Sequence, residues 1–242
     1  MNRLKDVWFE FGGIKNTELG VEMISMPTRN LPIQRGKSYS VAGRSGTLWR
    51  TDGAYDNVEV SLEFVVPDEK NIAAVNAWLC GSGLLRFSDE PNYMYEARVS
   101  RNYKRQSVSP RMTAQRYAVV FSCHPFRLLY PEAAPIAIAS SGATFDNPGT
   151  APSKPRVKIA GSGDFSVTIG METLFFSGVE GGGIIVDSQL MDALTYDGAA
   201  LANDKFSGMP WTIQPGWNAV SWMAESGSSV TGIEITPRWR YI

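Results

Sequence analysis

Few side chains in this sequence could carry chemistry, and His124 comes first because it is the only histidine. A Ser-His-Asp arrangement would have to use it, yet it stands before Pro125 at the end of an alternating run, and no nucleophile-elbow motif occurs anywhere. A carboxylate pair can hydrolyse a glycosidic bond without histidine. Asp89 and Glu90 are adjacent and precede Pro91, while Glu180, Asp187 and Asp192 are scattered, so the spacing suggests no such pair. They read as turn residues and solvated strand edges. Gly181-Gly182-Gly183 lacks the Lys-Ser/Thr of a phosphate-binding loop and runs into Ile184-Ile185-Val186, so a hairpin connection is expected there. The residues point to no catalytic group, no metal ligand set and no cofactor.

Two other groupings could bind rather than react. Residues 101–116 contain Arg101, Lys104, Arg105, Arg111 and Arg116 with Tyr103 nearby, Tyr117 following and no acidic residue. Basic, aromatic-interleaved stretches are where nucleic-acid binding is argued, but a solvated hairpin or an acidic neighbouring subunit explains this one equally well. Trp211, Trp217, Trp222 and Trp239 all lie in the second half. Aromatic faces on a jelly roll commonly bind sugars, which makes Trp211 and Trp217 candidate sugar or interface aromatics. Trp222 and Trp239 fall at positions expected to point inward on strands, where core packing is the commoner role.

The chain has 242 residues, near the size of roughly 250 at which one hydrophobic core stops growing, so one large β domain or two smaller ones are both possible. Hydrophobic residues make up 43% and charged ones 19%, enough apolar surface for a core. The 23 Lys and Arg nearly balance 24 Asp and Glu, giving a net charge of -1. A dedicated nucleic-acid binder usually has a clear basic surplus, because phosphate neutralisation supplies much of its affinity. The only cysteines, Cys80 and Cys123, form no Cys-x-x-Cys pair and are expected to be reduced, packed thiols. The start, Met1 to Asp6, lacks the apolar run of a signal peptide, and no stretch nears the roughly 20 apolar residues of a membrane span. Synthesis and assembly in the cytoplasm are expected.

The elements that must position these residues are mostly strands. Val58, Val60, Leu62, Phe64 and Val66 alternate with Glu59, Ser61, Glu63 and Val65, a period of two that turns one apolar face to a core. Asp52-Gly53 just upstream suggests a tight turn, so residues 45–66 are expected to form a hairpin. One helix is predicted after Pro67, capped by Asp68, with Ile72, Val75, Trp78 and Leu79 at helical spacing before Gly81. Tyr95, Ala97 and Val99 alternate, as do Tyr117, Val119, Phe121 and Cys123. From Tyr130 to Pro155 the texture shifts to five prolines among Ala, Ser and Gly, which favours linker or edge structure. Short alternating segments follow around Val157-Ile159, Phe165-Val167-Ile169, Leu174-Phe176, Ile184-Val186, Trp211-Ile213, Val220-Trp222 and Ile233-Ile235. Gly161-Ser162-Gly163, Gly181-Gly182-Gly183, Pro215-Gly216 and Ser226-Gly227-Ser228 separate them, as in a sandwich or jelly roll. The fold class is mainly β: a β-sandwich-like domain with one helix over 1–131, then a sandwich over 132–242 whose residues 132–155 are linker-like.

Order and spacing of several small motifs resemble the distal tail protein family, known as Dit, the hub of long flexible phage tails. In the first half these are Gly43-Arg44-Ser45-Gly46, Asp52-Gly53-Ala54-Tyr55, Trp78-Leu79, the Phe87-Ser88-Asp89-Glu90-Pro91 run, Tyr95 and Pro125-Phe126. In the second half they are Asn147-Pro148-Gly149, the Pro155-to-Ile159 strand, Ile185-Val186-Asp187, Pro215-Gly216-Trp217-Asn218 and Pro237-Arg238-Trp239-Arg240-Tyr241. The resemblance implies an amino-terminal β domain that closes into a hexameric ring and a galectin-like carboxy-terminal β-sandwich (jelly roll) outside it. It implies a structural protein at the virion tail tip, joining the tail tube to the tail-associated lysin and possible receptor-binding proteins, while the genome passes through without being held. Residues 156–242 leave no room for the long arm or added sugar-binding module of some relatives, so a compact hub is expected. The competing expectation is a carbohydrate-binding module that anchors to a host cell wall.

Overall fold

Alternation along residues 58–66 dictates a strand with one buried face, and this strand organises the first half. The structure, a computed structural model, describes residues 6–100, 103–109 and 113–242. Arg101 and Arg111 of the basic stretch and residues 1–5 lie outside the described residues. The chain divides into two compact units, residues up to Tyr130 with Ile242, and Pro131–Tyr241.

The first unit runs β1 (Phe9–Phe11), β2 (Ile14–Lys15), β3 (Glu22–Met23), β4 (Thr28–Arg29), β5 (Gln34–Ser40), β6 (Thr47–Tyr55) and β7 (Val58–Val66). After the helix α1 (Ile72–Trp78) come β8 (Ser82–Phe87), β9 (Tyr93–Val99), β10 (Lys104–Ser107), β11 (Gln115–Cys123) and β12 (Arg127–Leu129). The main sheet is antiparallel in the order β2-β1-β8-β9-β11-β7-β3, with β7 and β11 paired over their full length. Its inward face carries Val58, Val60, Leu62, Phe64 and Val66 from β7 and Tyr117, Val119, Phe121 and Cys123 from β11, all buried. The Asp68 carboxylate accepts the Lys70 amide at 3.1 Å, but it caps a short 3-10 turn, Glu69–Asn71, that leads into α1, and not α1 itself; Val75, Trp78 and Leu79 are buried. Trp78 stacks on Phe9 at 5.1 Å, and its indole N–H donates to the Phe11 carbonyl at 2.8 Å. Both the apolar body and the polar tip of this side chain are thus satisfied.

The expected hairpin over 45–66 does not form. β6 pairs with β5 in a separate two-stranded sheet, while β7 pairs with β11. Gly53 does take a positive φ, 80°, but inside β6, where the register shifts against Gln34–Gly36. Asp52 accepts the Ala54 amide at 3.0 Å and the Gly53 amide donates to Thr51 Oγ1 at 2.9 Å, so local side chains stabilise a bulge instead of a turn.

The second unit contains β13 (Ile136–Ile138), β14 (Ala143–Asn147), β15 (Arg156–Ile169), β16 (Glu172–Val179) and β17 (Gly183–Asp187). β18 (Asp192–Thr195), β19 (Phe206–Ser207), β20 (Gly216–Ala224), β21 (Ser229–Thr236) and the two-residue β22 (Arg240–Tyr241) follow. Within 132–155, β13 and β14 each pair on one side, with β21 and β20, so the proline-rich stretch supplies edge strands where linker-like chain was expected. Gly161-Ser162-Gly163, expected to separate two strands, lies inside the single 14-residue strand β15. The first half of β15 pairs with β17 and β21, the second with β16 and β20, so it belongs to both sheets of the sandwich. Strands that switch sheets do so at bulges, and the register shifts at Ala160/Gly161 and Gly163/Phe165. A Cβ on Gly161 would collide with the Ser229 carbonyl oxygen, and one on Gly163 with the Ser228 side chain. Asp164 fixes the corner: its amide donates to Ser228 Oγ at 2.8 Å and its carboxylate accepts the Gly178 amide at 2.6 Å. Gly181-Gly182-Gly183 consequently is not a hairpin connection, because β16 and β17 lie on different halves of β15. Trp211–Ile213 is not a strand either: Ile213 makes one isolated bridge, to Ser153.

Two substitutions test these cores. Trp78→Ala is expected to lower the unfolding free energy by about 3–5 kcal/mol in a denaturant titration, as for other large core truncations. Gly161→Ala is expected to cost about 1–3 kcal/mol by forcing the β15 corner apart; an unchanged midpoint would refute the close approach.

Candidate assembly surface

The residues singled out in the first half gather around arginines that the sequence did not flag. Arg29 on β4 forks onto Asp89, Nη1 to Oδ2 at 2.8 Å and Nη2 to Oδ1 at 2.7 Å, and lies over the Phe87 ring at 4.5 Å. Phe87 meets Tyr95 edge-on at 6.3 Å. Arg86 donates to the Pro91 carbonyl at 3.2 Å, faces Glu10 at 3.4 Å and stacks on Tyr130 at 3.3 Å. Arg127 reaches Glu90 at 3.1 Å. The run 87–91 therefore works as a polar seam that fixes β4 to the end of β8. Partial burial of Asp89 pushes its carboxyl up, and the Arg29 fork outweighs this, holding it below the usual carboxylate range. Trp78 and Leu79 belong to the core, and Tyr55 packs edge-on against Phe126 at 5.3 Å beside buried Pro125.

Gly46, Asp52 and Gly53 belong instead to the β5–β6 hairpin, whose residues are mostly exposed. Gly46 takes φ 81° beside the turn, and Asp52 accepts two Arg35 guanidinium bonds at 3.0 and 2.8 Å. Asp52 sits below the usual carboxylate range through the Ala54 amide and then Arg35. The hairpin pairs with no other described strand, and an isolated hairpin is marginal in water. It nevertheless displays Trp49 at 58% exposure, with Tyr39 and Leu48 also exposed, and the chain leading into it exposes Leu31 at 80% and Ile33 at 71%. Trp49 rests on Gly36, where a Cβ would meet its ring. Apolar side chains this open on a thin ribbon mark an interaction surface. The signal available in sequence was Leu31 and Ile33, apolar residues around Pro32 with no partner strand pattern.

In the second unit, Gly216 takes φ 86° and Asn218, buried, donates to the Gln214 and Gly216 carbonyls at 2.8 and 2.7 Å. Pro237 is buried, and Trp239 is buried against Phe145. Trp211 is 0% exposed and packs on Phe176 at 6.2 Å, so the expectation of a sugar or interface aromatic is corrected there: it is core, with no accessible face. Trp217 is 78% exposed and keeps its ring available.

Chemistry at His124 finds no support in its geometry. Its Nδ1 accepts the Phe126 amide at 3.3 Å, so the neutral ring carries its proton on Nε2 and has no free nitrogen to act as a base. It borders an open depression of about 440 Å³ with Asn57, Leu84, Glu96, Arg98 and Ser122. Among the described residues no three His, Cys, Asp or Glu side chains come together to hold a metal, and no helix is long and apolar enough to cross a membrane. Cys123 is buried, which pushes its thiol up to about 12, whereas Cys80 is exposed and not packed as expected. In the basic stretch, Tyr117 stacks on Phe64 at 5.2 Å inside the core, which removes it from any nucleic-acid face, while Arg116 stays half-exposed and pairs with Glu63 at 2.6 Å.

Fold and surface define a mainly β chain of two units whose most conspicuous feature is an exposed arm, not a cleft. No family model matches the chain, and no curated protein matches it. Nine chains of known structure do. One is the crystal structure of SPP1 Dit (gp 19.1), a paradigm of the hub adsorption apparatus in Gram-positive-infecting phages. It superposes with a TM-score of 0.72 at 14% sequence identity, covering 95% of this chain and 97% of that one. This chain has the Dit fold.

The Arg29–Asp89 fork predicts a pH dependence. A carboxyl held below its unfolded value, about 3.9, contributes stability that is present above that value and is lost as pH falls through the folded one. The melting temperature of the wild type is expected to fall more steeply below about pH 4 than that of Asp89→Asn, and parallel curves would refute the coupling.

Proposed function

We propose that the chain is a distal tail protein, a non-enzymatic hub at the tip of a long flexible phage tail. The observation that carries this reading is the Dit fold, held over nearly the whole chain. In this reading the first unit closes into a hexameric ring, assembled in the host cytoplasm. The ring joins the tail tube to the tail-associated lysin and to adsorption proteins, and the genome passes through its centre. The exposed β5–β6 arm supports it, since a cyclic assembly covers open strand edges and apolar faces with the next copy. The near-neutral charge also supports it, because a passage for DNA must not hold DNA.

Exposed Trp217 favours a second reading, a carbohydrate-binding module that attaches to a cell wall. Light scattering across a concentration series with negative-stain imaging separates the two. Hexameric rings with an open centre are expected. A monomer at every concentration, retained on cell walls and released by Trp217→Ala, would favour the sugar reading instead.

A further inference from the structure

One face of the exposed hairpin is built against its own stability. The β5–β6 register sets Lys37 directly opposite Arg50, with Tyr39 opposite Leu48 as the next pair on the same face. Like charges directly opposite destabilise a two-stranded pairing. Neither cation has a carboxylate partner among the described residues, because the one acidic residue of the hairpin, Asp52, is taken by Arg35. Lys37, Arg50, Arg35 and Tyr39 line a cleft of about 280 Å³, with Asp52, bound by Arg35, also in its wall. Residues 34–55 hold four cations against that single carboxylate in a chain whose net charge is -1, so the carboxylate excess lies elsewhere on the same protein.

We propose that this face is a carboxylate clamp, and that its occupant is an acidic surface of a second copy of the chain. The inference rests on the ring reading and adds to it the residues that set its charge complementarity. Tyr39 and Leu48 beside the cations suit a protein surface. Two unopposed cations are too few for phosphate-backbone binding, whose affinity grows with the number of phosphates neutralised and falls steeply with salt. The contact is heterologous, arm on one copy and acidic surface on the next, as ring closure requires.

Lys37→Glu tests it, because the two effects of the substitution have opposite signs. It converts the cross-strand repulsion into an attractive pair, so the melting temperature of the monomer is expected to hold or rise. Assembly is expected to weaken: the concentration at half-assembly, read by light scattering, rises about tenfold or more in the variant. In the wild type it rises between about 50 and about 500 mM salt. Zero-length carbodiimide coupling of mixed isotope-labelled and unlabelled chains is expected to join Lys37 to an Asp or Glu of another copy. Wild-type rings that Lys37→Glu leaves intact at the same concentrations overturn the clamp and leave the ring reading standing. A wild type that never assembles overturns the second-copy occupant together with the ring. Retention of a single-stranded oligonucleotide by the wild type and not by Lys37→Glu overturns it in favour of phosphate.

Discussion

An open strand edge is the constraint on which the rest of this molecule depends. Backbone donors and acceptors along a strand must be met by another strand, by side chains or by water. In the first unit the main sheet meets this by pairing β7 and β11 along their full length and by closing β1 onto β8. The β5–β6 ribbon does not, and shows an apolar Trp49 and two like charges face to face on an element with no other described strand beside it. A chain with ample apolar residues for its core has left these outside it, where open apolar side chains mark an interaction surface.

The polar seam at 87–91 serves the same end by different means. The chain entering the arm is pinned at Arg29, whose fork to Asp89 and contact with the Phe87 ring hold β4 against β7 while the neighbouring apolar side chains stay exposed. Planar guanidinium groups suit this place, since they stack on a ring and bond a carboxylate at once. The core is left to Trp78, Phe9 and Phe121, and the route of the arm to the arginines.

Legibility in the sequence followed the physics of each element. The strand 58–66 and the helix after Pro67 were readable because burial imposes a period on side chains that nothing else produces. The residues of the 87–91 run were visible as a motif, but Arg29, 60 positions from Asp89, carries no local mark of its partner. Glycine misled twice for one reason. Gly53 and Gly161-Ser162-Gly163 permit a turn and also a bulge or a close approach, and only the neighbouring strand decides which. Trp211 and Trp217, six residues apart and alike in sequence, ended at opposite extremes of exposure because one packs on Phe176 in the core and the other falls on the outward face of β20, alternating with buried Asn218 and Val220.

The strand shared by both sheets of the second unit has a mechanical consequence. Because each sheet takes its register from the same 14 residues, neither can peel away or slide without breaking the ladder of the other. A pull on any one strand is therefore spread through Asp164 and the corner to four neighbouring strands, and the unit should yield as a single body under load. A topological detail thus becomes tensile strength.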